Sequence, residues 1–192
     1  MLRTTKNMKE KYEAIQNQLF TMIPEKWEKI FLYASITDRT GNVQTGELYF
    51  YYLPRGILKK KYVNVYEVPS KFNIEEEQYT KYVDDLYEII KELRQDFIDT
   101  EQKLWTNINI SIENMVFKVE YGYEELNQDE QSNYRNHVIW RFKYLGIGGE
   151  VREERKILDE YFQSSEKYKR EVYQMGLYMK TSNNVIGFGK ID

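Results

Sequence analysis

The chain has 192 residues, of which 41% are hydrophobic and 31% charged, values typical of a folded globular protein. It contains no cysteine and a single histidine, His137, which excludes thiolate metal sites, catalytic thiols, disulfides and two-histidine metal sites. The longest charge-free run, residues 14–24, is too short to cross a bilayer, and the N-terminus lacks the apolar stretch of a secretory signal. These properties predict a cytoplasmic protein.

The first predicted elements are one helix and three strands. Between Thr5 and Phe20, apolar residues recur at steps of four and three, as on one face of a helix, and the helix is expected to end near Pro24. A strand is predicted at residues 30–37, because apolar residues alternate there, and a turn at residues 38–42 ends it. Strands are also predicted at residues 47–53 and 62–68, which are rich in tyrosine, phenylalanine and valine and are bounded by glycines and prolines. Their short connections predict antiparallel pairing.

A long helix is predicted next, from Ile74 to about Asp99, with Asn73 and Glu76 as its capping pair. Its apolar positions follow one another at steps of four and three and define a continuous buried face. These positions are Tyr79, Val83, Leu86, Ile90, Leu93 and Phe97.

Two strands, at residues 104–112 and 115–121, are predicted to follow, joined by a hairpin turn at Glu113-Asn114. A helix over residues 128–145 would end at Gly146, and a last helix would begin near Glu150. Its apolar pattern extends to Met175, and the residues from Thr181 are expected to form a loose tail. The order α-βββ-α-ββ-α-α predicts an α+β fold, in which helices cover one face of an antiparallel sheet of about five strands.

The formal net charge of -3 is distributed very unevenly along the chain. Residues 1–66 carry 11 basic and 6 acidic side chains, and residues 131–192 carry 11 and 8. Residues 67–130 carry only 6 basic side chains against 17 acidic ones. An acidic middle segment of this kind indicates a basic partner.

Much of this acid lies on the predicted outer face of the long helix. Five carboxylates follow one another there at steps of three or four residues: Asp85, Glu88, Glu92, Asp96 and Asp99. Lys81 is the only cation expected to relieve their repulsion, and each like-charged pair costs roughly 0.2 to 0.5 kcal/mol. The ladder is therefore either a solvated helix face or a surface that binds a basic protein.

Other motifs have simpler interpretations. The pairs Glu124-Glu125 and Asp129-Glu130 could hold a divalent cation or act as acid and base, but no EF-hand loop accompanies them, so surface charge is the simpler reading. The glycines at 146, 148 and 149 resemble a phosphate loop only in composition and fit a turn between helices. His137 stands alone and is assigned no catalytic role.

One motif supports an alternative function, in nucleic-acid binding. Lys59, Lys60 and Lys61 lie near Tyr49, Tyr51, Tyr52 and Tyr62, and single-stranded nucleic acids are bound by such combinations of cations and aromatic rings. A regulatory protein that binds nucleic acid through its basic terminal segments is therefore the second hypothesis, and a metal-dependent hydrolase is the third.

Five segments are informative through their order and spacing along the chain. They are Met22-Ile23-Pro24-Glu25-Lys26-Trp27-Glu28-Lys29, Leu48-Tyr49-Phe50-Tyr51-Tyr52, Leu104-Trp105-Thr106-Asn107, Phe117-Lys118-Val119-Glu120-Tyr121 and Trp140-Arg141-Phe142-Lys143-Tyr144-Leu145-Gly146. Together they resemble the YezG-type immunity proteins of Gram-positive bacteria. The resemblance spans roughly residues 8–163, and it departs from the family at Gly148-Gly149, where a proline would be expected.

The resemblance implies a cytosolic antitoxin that is not an enzyme. Such a protein binds the C-terminal domain, commonly a nuclease, of a toxin exported by the type VII system. Residues 1–163 would form its single domain and residues 164–192 a helical extension with a loose tail. No cofactor, metal ion, membrane or direct nucleic-acid contact is expected, and the partner-binding residues Asp85, Glu88, Glu92, Asp96 and Asp99 are assigned from charge alone.

Overall fold

The computed structural model describes residues 3–39, 43–56, 61–127, 129–164, 177–182 and 185–190, the last two ranges through their backbone only. The chain divides into two compact units, Met1–Leu126 and Asn127–Asp192. The boundary expected between residues 163 and 164 stays a prediction.

The first unit contains helices and strands in the following order along the chain. The elements are α1 Lys6–Met22, β1 Trp27–Ser35, β2 Thr37–Arg39, β3 Val43–Thr45, β4 Leu48–Pro54, β5 Val63–Asn64, a 3-10 turn Val65–Glu67, α2 Val68–Phe72, α3 Glu76–Asp99, β6 Asn107–Glu113 and β7 Val116–Gly122. Five of the strands form one antiparallel sheet in the order β5-β4-β1-β6-β7, and β2 and β3 form a separate hairpin. The predicted α+β class with a five-stranded antiparallel sheet is thus confirmed.

Helices α1 and α3 pack on one face of the sheet, as predicted. The main core joins Leu19 of α1 and Phe97 of α3 to Leu32 of β1 and Ile110 of β6, all of them almost fully buried. Burying a side chain of this size contributes about 1.5 to 3 kcal/mol. The apolar stripe predicted along the long helix is therefore its buried face.

Side chains on the opposite face of the sheet are also buried at its centre. Phe31 and Tyr33 of β1 and Tyr49 and Tyr51 of β4 are each less than a tenth exposed. The rings of Tyr33 and Tyr49 stack with their centroids 4.8 Å apart. Strand β1 is therefore buried on both faces, which explains why its sequence is a nearly continuous apolar run.

The segment before α3 differs from the prediction. The strand predicted at residues 62–68 is β5, and it is only two residues long. It ends because the Asn64 side chain accepts a hydrogen bond from the Tyr66 backbone amide, and the chain continues as a 3-10 turn and then α2. Asn73 lies in the left-handed region, with φ 53°, and ends α2 rather than capping α3. Helix α3 begins at Glu76 instead, two residues later than predicted.

The β6–β7 hairpin also turns one residue later than predicted. Glu113 pairs with Val116, so Asn114 and Met115 form the two-residue turn. Both have positive φ, 51° and 61°, as a type I′ turn requires. The consequence is that Met115, assigned to the second strand from its sequence, lies at the hairpin tip.

The second unit contains two helices and a hairpin. Helix α4, Glu130–Trp140, continues as a π-helical turn over Arg141–Leu145 and ends at Gly146, as predicted. Helix α5 covers Arg152–Ser164, and strands β8 Leu177–Ser182 and β9 Val185–Lys190 pair antiparallel in place of the expected loose tail. Most of the helical stripe predicted up to Met175 lies outside the described residues.

A buried carboxylate joins the two helices of this unit. Glu154, in the first turn of α5, forms an ion pair with Arg141 and accepts hydrogen bonds from the backbone amides of Gly149 and Glu150. It thereby supplies an acceptor for two backbone amides of the turn that leads into α5.

Candidate partner-binding surface

The five predicted carboxylates form one continuous strip on α3, opposite its buried face. We call this strip, composed of Asp85, Glu88, Glu92, Asp96 and Asp99, the acidic surface. Asp96 is half-buried and the other four are exposed. The structure therefore brings all five predicted residues together, because their steps of three and four residues match the helical repeat.

Two lysines relieve part of the repulsion within the acidic surface. Lys11 of α1 forms an ion pair with Glu92, and Lys91 of α3 forms one with Glu88. The sequence had indicated Lys81 as the only cation that would relieve this repulsion, but Lys81 makes no ion pair with a described residue. Lys91 could have been found from its three-residue spacing to Glu88, whereas Lys11 is distant in sequence and reaches the surface only because α1 packs against α3.

The remaining members of the acidic surface keep most of their acceptor capacity. Asp99 accepts one hydrogen bond, from the Gln95 amide at 2.8 Å. Asp85 has no hydrogen bond or ion pair with any residue that the structure describes. Five carboxylates against two paired lysines leave this face of the helix negative.

Asp96 occupies an electrostatically unfavourable position. Partial burial raises its pKa, Lys11 acts against that rise, and the carboxylates of Asp99 and Glu92 add to it. Its Oδ2 atom is enclosed and accepts no hydrogen bond from a described residue. The acidic surface thus includes a carboxylate whose charge the fold itself does not favour.

An arginine on the flank of α3 has a structural role that sequence reasoning missed. The guanidinium of Arg94 is 4% exposed and donates two hydrogen bonds to the Asp38 carboxylate, at 2.7 and 3.0 Å. Its Nε donates to the carbonyl of Trp105 at 3.0 Å. These bonds lower the pKa of Asp38 and anchor the β2–β3 hairpin to the helix.

Two of the four carboxylates considered for metal or acid-base chemistry, Glu124 and Asp129, make structural contacts. Glu124 accepts a hydrogen bond from the Asn107 amide at 2.8 Å. Asp129 caps α4 by accepting from the amide and hydroxyl of Ser132, which lowers its pKa. Among the described residues, no three His, Asp or Glu side chains are grouped as a metal site would require.

His137 is held in its neutral form. It lies half-buried in α4, where burial lowers its pKa to about 4 and the nearby Arg141 adds to the effect, against the pull of Glu154. At neutral pH this imidazole carries no charge.

The tyrosines of the nucleic-acid hypothesis belong largely to the sheet. Tyr49, Tyr51 and Tyr52 are buried, so their rings have no exposed face on which a base could stack. Tyr62 contacts the ring of Phe31, and Lys59 and Lys60 lie outside the described residues. No helix in the described part of the chain is long and apolar enough to cross a membrane.

Comparisons with known proteins identify relatives over most of the chain. The family described as "Immunity protein YezG-like" matches residues 8–159. Immunity protein YezG of Bacillus spizizenii is 29% identical over 163 residues, which cover 84% of this chain and 97% of that protein. Immunity protein YezG of Bacillus subtilis is 26% identical, with coverages of 80% and 98%. Type VII secretion system protein EsaG of Staphylococcus aureus is 26% identical over 71% of this chain and 80% of its own.

Proposed function

The chain belongs to the YezG-like immunity protein family, and from this premise we propose that it binds and neutralises a bacterial toxin, with the acidic surface of α3 at the contact. The toxin is a nuclease domain carried at the C-terminus of a protein exported by the type VII system. Inhibition is stoichiometric and takes place in the cytoplasm before export. The observation that carries this proposal is the strip of five carboxylates on α3, of which two are paired with lysines among the residues that the structure describes.

The electrostatics of the acidic surface fit such a partner. A nuclease holds its substrate through cations that contact phosphates. Carboxylates on a rigid helix can occupy those cations in place of phosphates, and their field raises the association rate with a basic protein. The contact therefore both attracts the toxin and blocks its substrate-binding surface.

The rigidity of α3 supports this use of its outer face. The helix is fixed by the buried residues of its inner face and by the Arg94–Asp38 bond at its flank. A preorganised surface loses less conformational entropy on binding than a mobile segment does. The acidic surface is thus presented in the geometry in which it binds.

The proposal is tested by co-expressing the full chain with the toxin domain encoded beside its gene. The variant Glu88→Lys/Glu92→Lys/Asp96→Lys should protect cells poorly, because it reverses the charge of the contact while leaving the buried face of α3 intact. The matched control, Glu150→Lys/Glu153→Lys/Asp159→Lys, makes the same formal charge change at exposed positions of the second unit. Growth under toxin induction is the measurement.

Three outcomes are informative. Loss of protection by the α3 variant alone supports the proposal. Full protection by the α3 variant would remove the acidic surface from the interface. Failure of the unmodified chain to protect against the toxin would contradict the proposed function itself.

A further inference from the structure

A groove lies in the first unit, at the end of the sheet where β1 begins. It is formed by the connection from α1 to β1, the residues after β4 and the β6–β7 turn, and it has a volume of about 570 Å³. Pro24, Lys26, Trp27, Arg55 and Met115 are among the residues that line it.

Met115 is an unusual residue for its position in this groove. Its φ of 61° lies in the left-handed region, where glycine is favoured and where type I′ turns most often have Asn-Gly. Its side chain is 68% exposed and that of the following Val116 is 52% exposed, so the fold gains little from either. Methionine is a flexible, polarisable side chain suited to protein interfaces, and its presence here indicates contact with an apolar partner group.

Trp27 supplies an aromatic wall beside Met115. Its ring packs against Phe20 of α1, with 5.1 Å between the ring centroids, and is thereby held in place. It keeps a partly exposed face, unlike the buried Trp105 and Trp140. A fixed, partly exposed indole is a typical anchor for a partner side chain.

Two cations of the groove, Lys26 and Arg55, have no anionic partner in the part of the chain that the structure describes. The backbone amide of Arg55 donates to the Lys26 carbonyl at 2.8 Å, which holds the two residues side by side. Both side chains are exposed, and neither forms an ion pair with a residue that the structure describes. The carboxylate of the neighbouring Glu25 is bound by other residues, since its Oε1 atom accepts from the Lys71 ammonium at 2.5 Å and the Tyr52 hydroxyl at 2.7 Å.

We propose that this groove docks an extended segment of the toxin in which an apolar side chain lies beside a carboxylate. The apolar side chain packs between Trp27 and Met115, and the carboxylate binds Lys26 and Arg55. This inference rests on the proposed function and adds a second contact of opposite charge. Because the acidic surface attracts basic residues and the groove attracts acidic ones, the two contacts together fix the orientation of the toxin.

The variant Met115→Gly separates this proposal from a structural role. Glycine relieves the backbone strain of the turn, so the free protein should unfold at a higher denaturant concentration than the unmodified chain. Removing the side chain should at the same time speed dissociation of the toxin complex, since an apolar contact is lost. If Met115 does not contact the toxin, Met115→Gly should raise stability without changing the dissociation rate.

The double variant Lys26→Glu/Arg55→Glu tests the charge of the groove. It should speed dissociation of the toxin by about tenfold, because two attractive contacts become repulsive. Lys6→Glu/Lys9→Glu, at exposed positions on α1, is the matched control and should leave dissociation unchanged. Dissociation rates are measured by surface plasmon resonance on the full chain with the toxin domain.

Labelling with 5-fluorotryptophan locates the contact. The chain has three tryptophans, so ¹⁹F NMR gives three resonances, and Trp27→Phe assigns the one from the groove. Adding unlabelled toxin domain should shift the Trp27 resonance. An unshifted Trp27 resonance, together with unchanged dissociation for both groove variants, would overturn the groove proposal alone. If the unmodified chain does not bind the toxin, the groove proposal and the proposed function both fail.

Discussion

The two faces of α3 differ in what they contribute to the stability of the fold. The inner face contains fully buried residues such as Leu86, Ile90 and Phe97. The outer face contains five carboxylates, one of which the fold disfavours in its charged form. Side chains on the inner face stabilise the protein, whereas those on the outer face slightly oppose its folding. A helix face that opposes folding is what the proposed contact with a toxin would require.

The largest effect is expected from the inner face. Phe97 is fully buried and makes edge-to-face contacts with Trp105 and Tyr121, at centroid distances of 6.3 and 5.0 Å. Replacing it with alanine should lower the free energy of unfolding by about 3 to 5 kcal/mol, through the lost transfer energy and the cavity left behind. Urea denaturation is the measurement.

The adjacent Ile98 provides the control for this comparison. Its side chain is 46% exposed, so Ile98→Ala should change the free energy of unfolding by less than about 1 kcal/mol. Similar losses for the two variants would mean that the faces of α3 are not divided as described.

A smaller loss is expected at the flank of the helix. Arg94→Met keeps most of the side-chain volume but removes the bonds that Arg94 donates to the Trp105 carbonyl and to the Asp38 carboxylate. Among the described residues, Asp38 then keeps only the hydrogen bond from Gln44, at 3.2 Å. We expect the free energy of unfolding at neutral pH to fall by about 1 to 3 kcal/mol, since Asp38 is half-exposed and can still be hydrated.

The pH dependence of this loss has a definite sign. Arg94 holds the pKa of folded Asp38 below its ordinary value of 3.8. The bond therefore stabilises the fold above that value, and its contribution is lost as the pH falls through the lowered pKa. The difference between the unmodified chain and Arg94→Met should narrow on acidification, and a constant difference would show that the ion pair is not responsible.

The smallest effect, and one of opposite sign, is expected on the outer face. Asp96→Asn removes the repulsion from Glu92 and Asp99 and should raise the free energy of unfolding at neutral pH by about 0.5 kcal/mol. The pKa of Asp96 in the folded protein is raised above its ordinary value of 3.8. The unmodified chain therefore loses stability as the pH rises through the interval between 3.8 and the raised pKa. The gain should therefore be absent below this interval, and destabilisation at neutral pH would contradict the account.

Local patterns allowed much of the fold to be predicted from the sequence. The apolar stripe of α3 and the alternating residues of β1 specify buried faces because their spacings match the helical and strand repeats. The same spacing placed the five carboxylates on one surface. The domain boundary expected between residues 163 and 164 stays a prediction.

The features that were missed depend on side-chain bonds or on contacts between distant residues. Asn64 ends β5 because its side chain caps the following 3-10 turn, and Asn73 ends α2 because its backbone adopts the left-handed conformation. The surrounding pattern revealed neither effect. Lys11 reaches Glu92 only through the packing of α1 on α3. The groove brings together Trp27, Arg55 and Met115 from three separate parts of the sequence, and no single segment predicts the groove.

The most direct test of the central claim is the association rate of the full chain with the toxin domain, measured by stopped flow over a range of salt concentrations. The account predicts that association slows steeply with salt, and that Glu88→Lys/Glu92→Lys/Asp96→Lys lowers the rate at low salt by at least about tenfold. The control Glu150→Lys/Glu153→Lys/Asp159→Lys should remain close to the unmodified chain. Equal rates and equal salt dependence for the α3 variant and the unmodified chain would contradict the claim that the acidic surface binds the toxin.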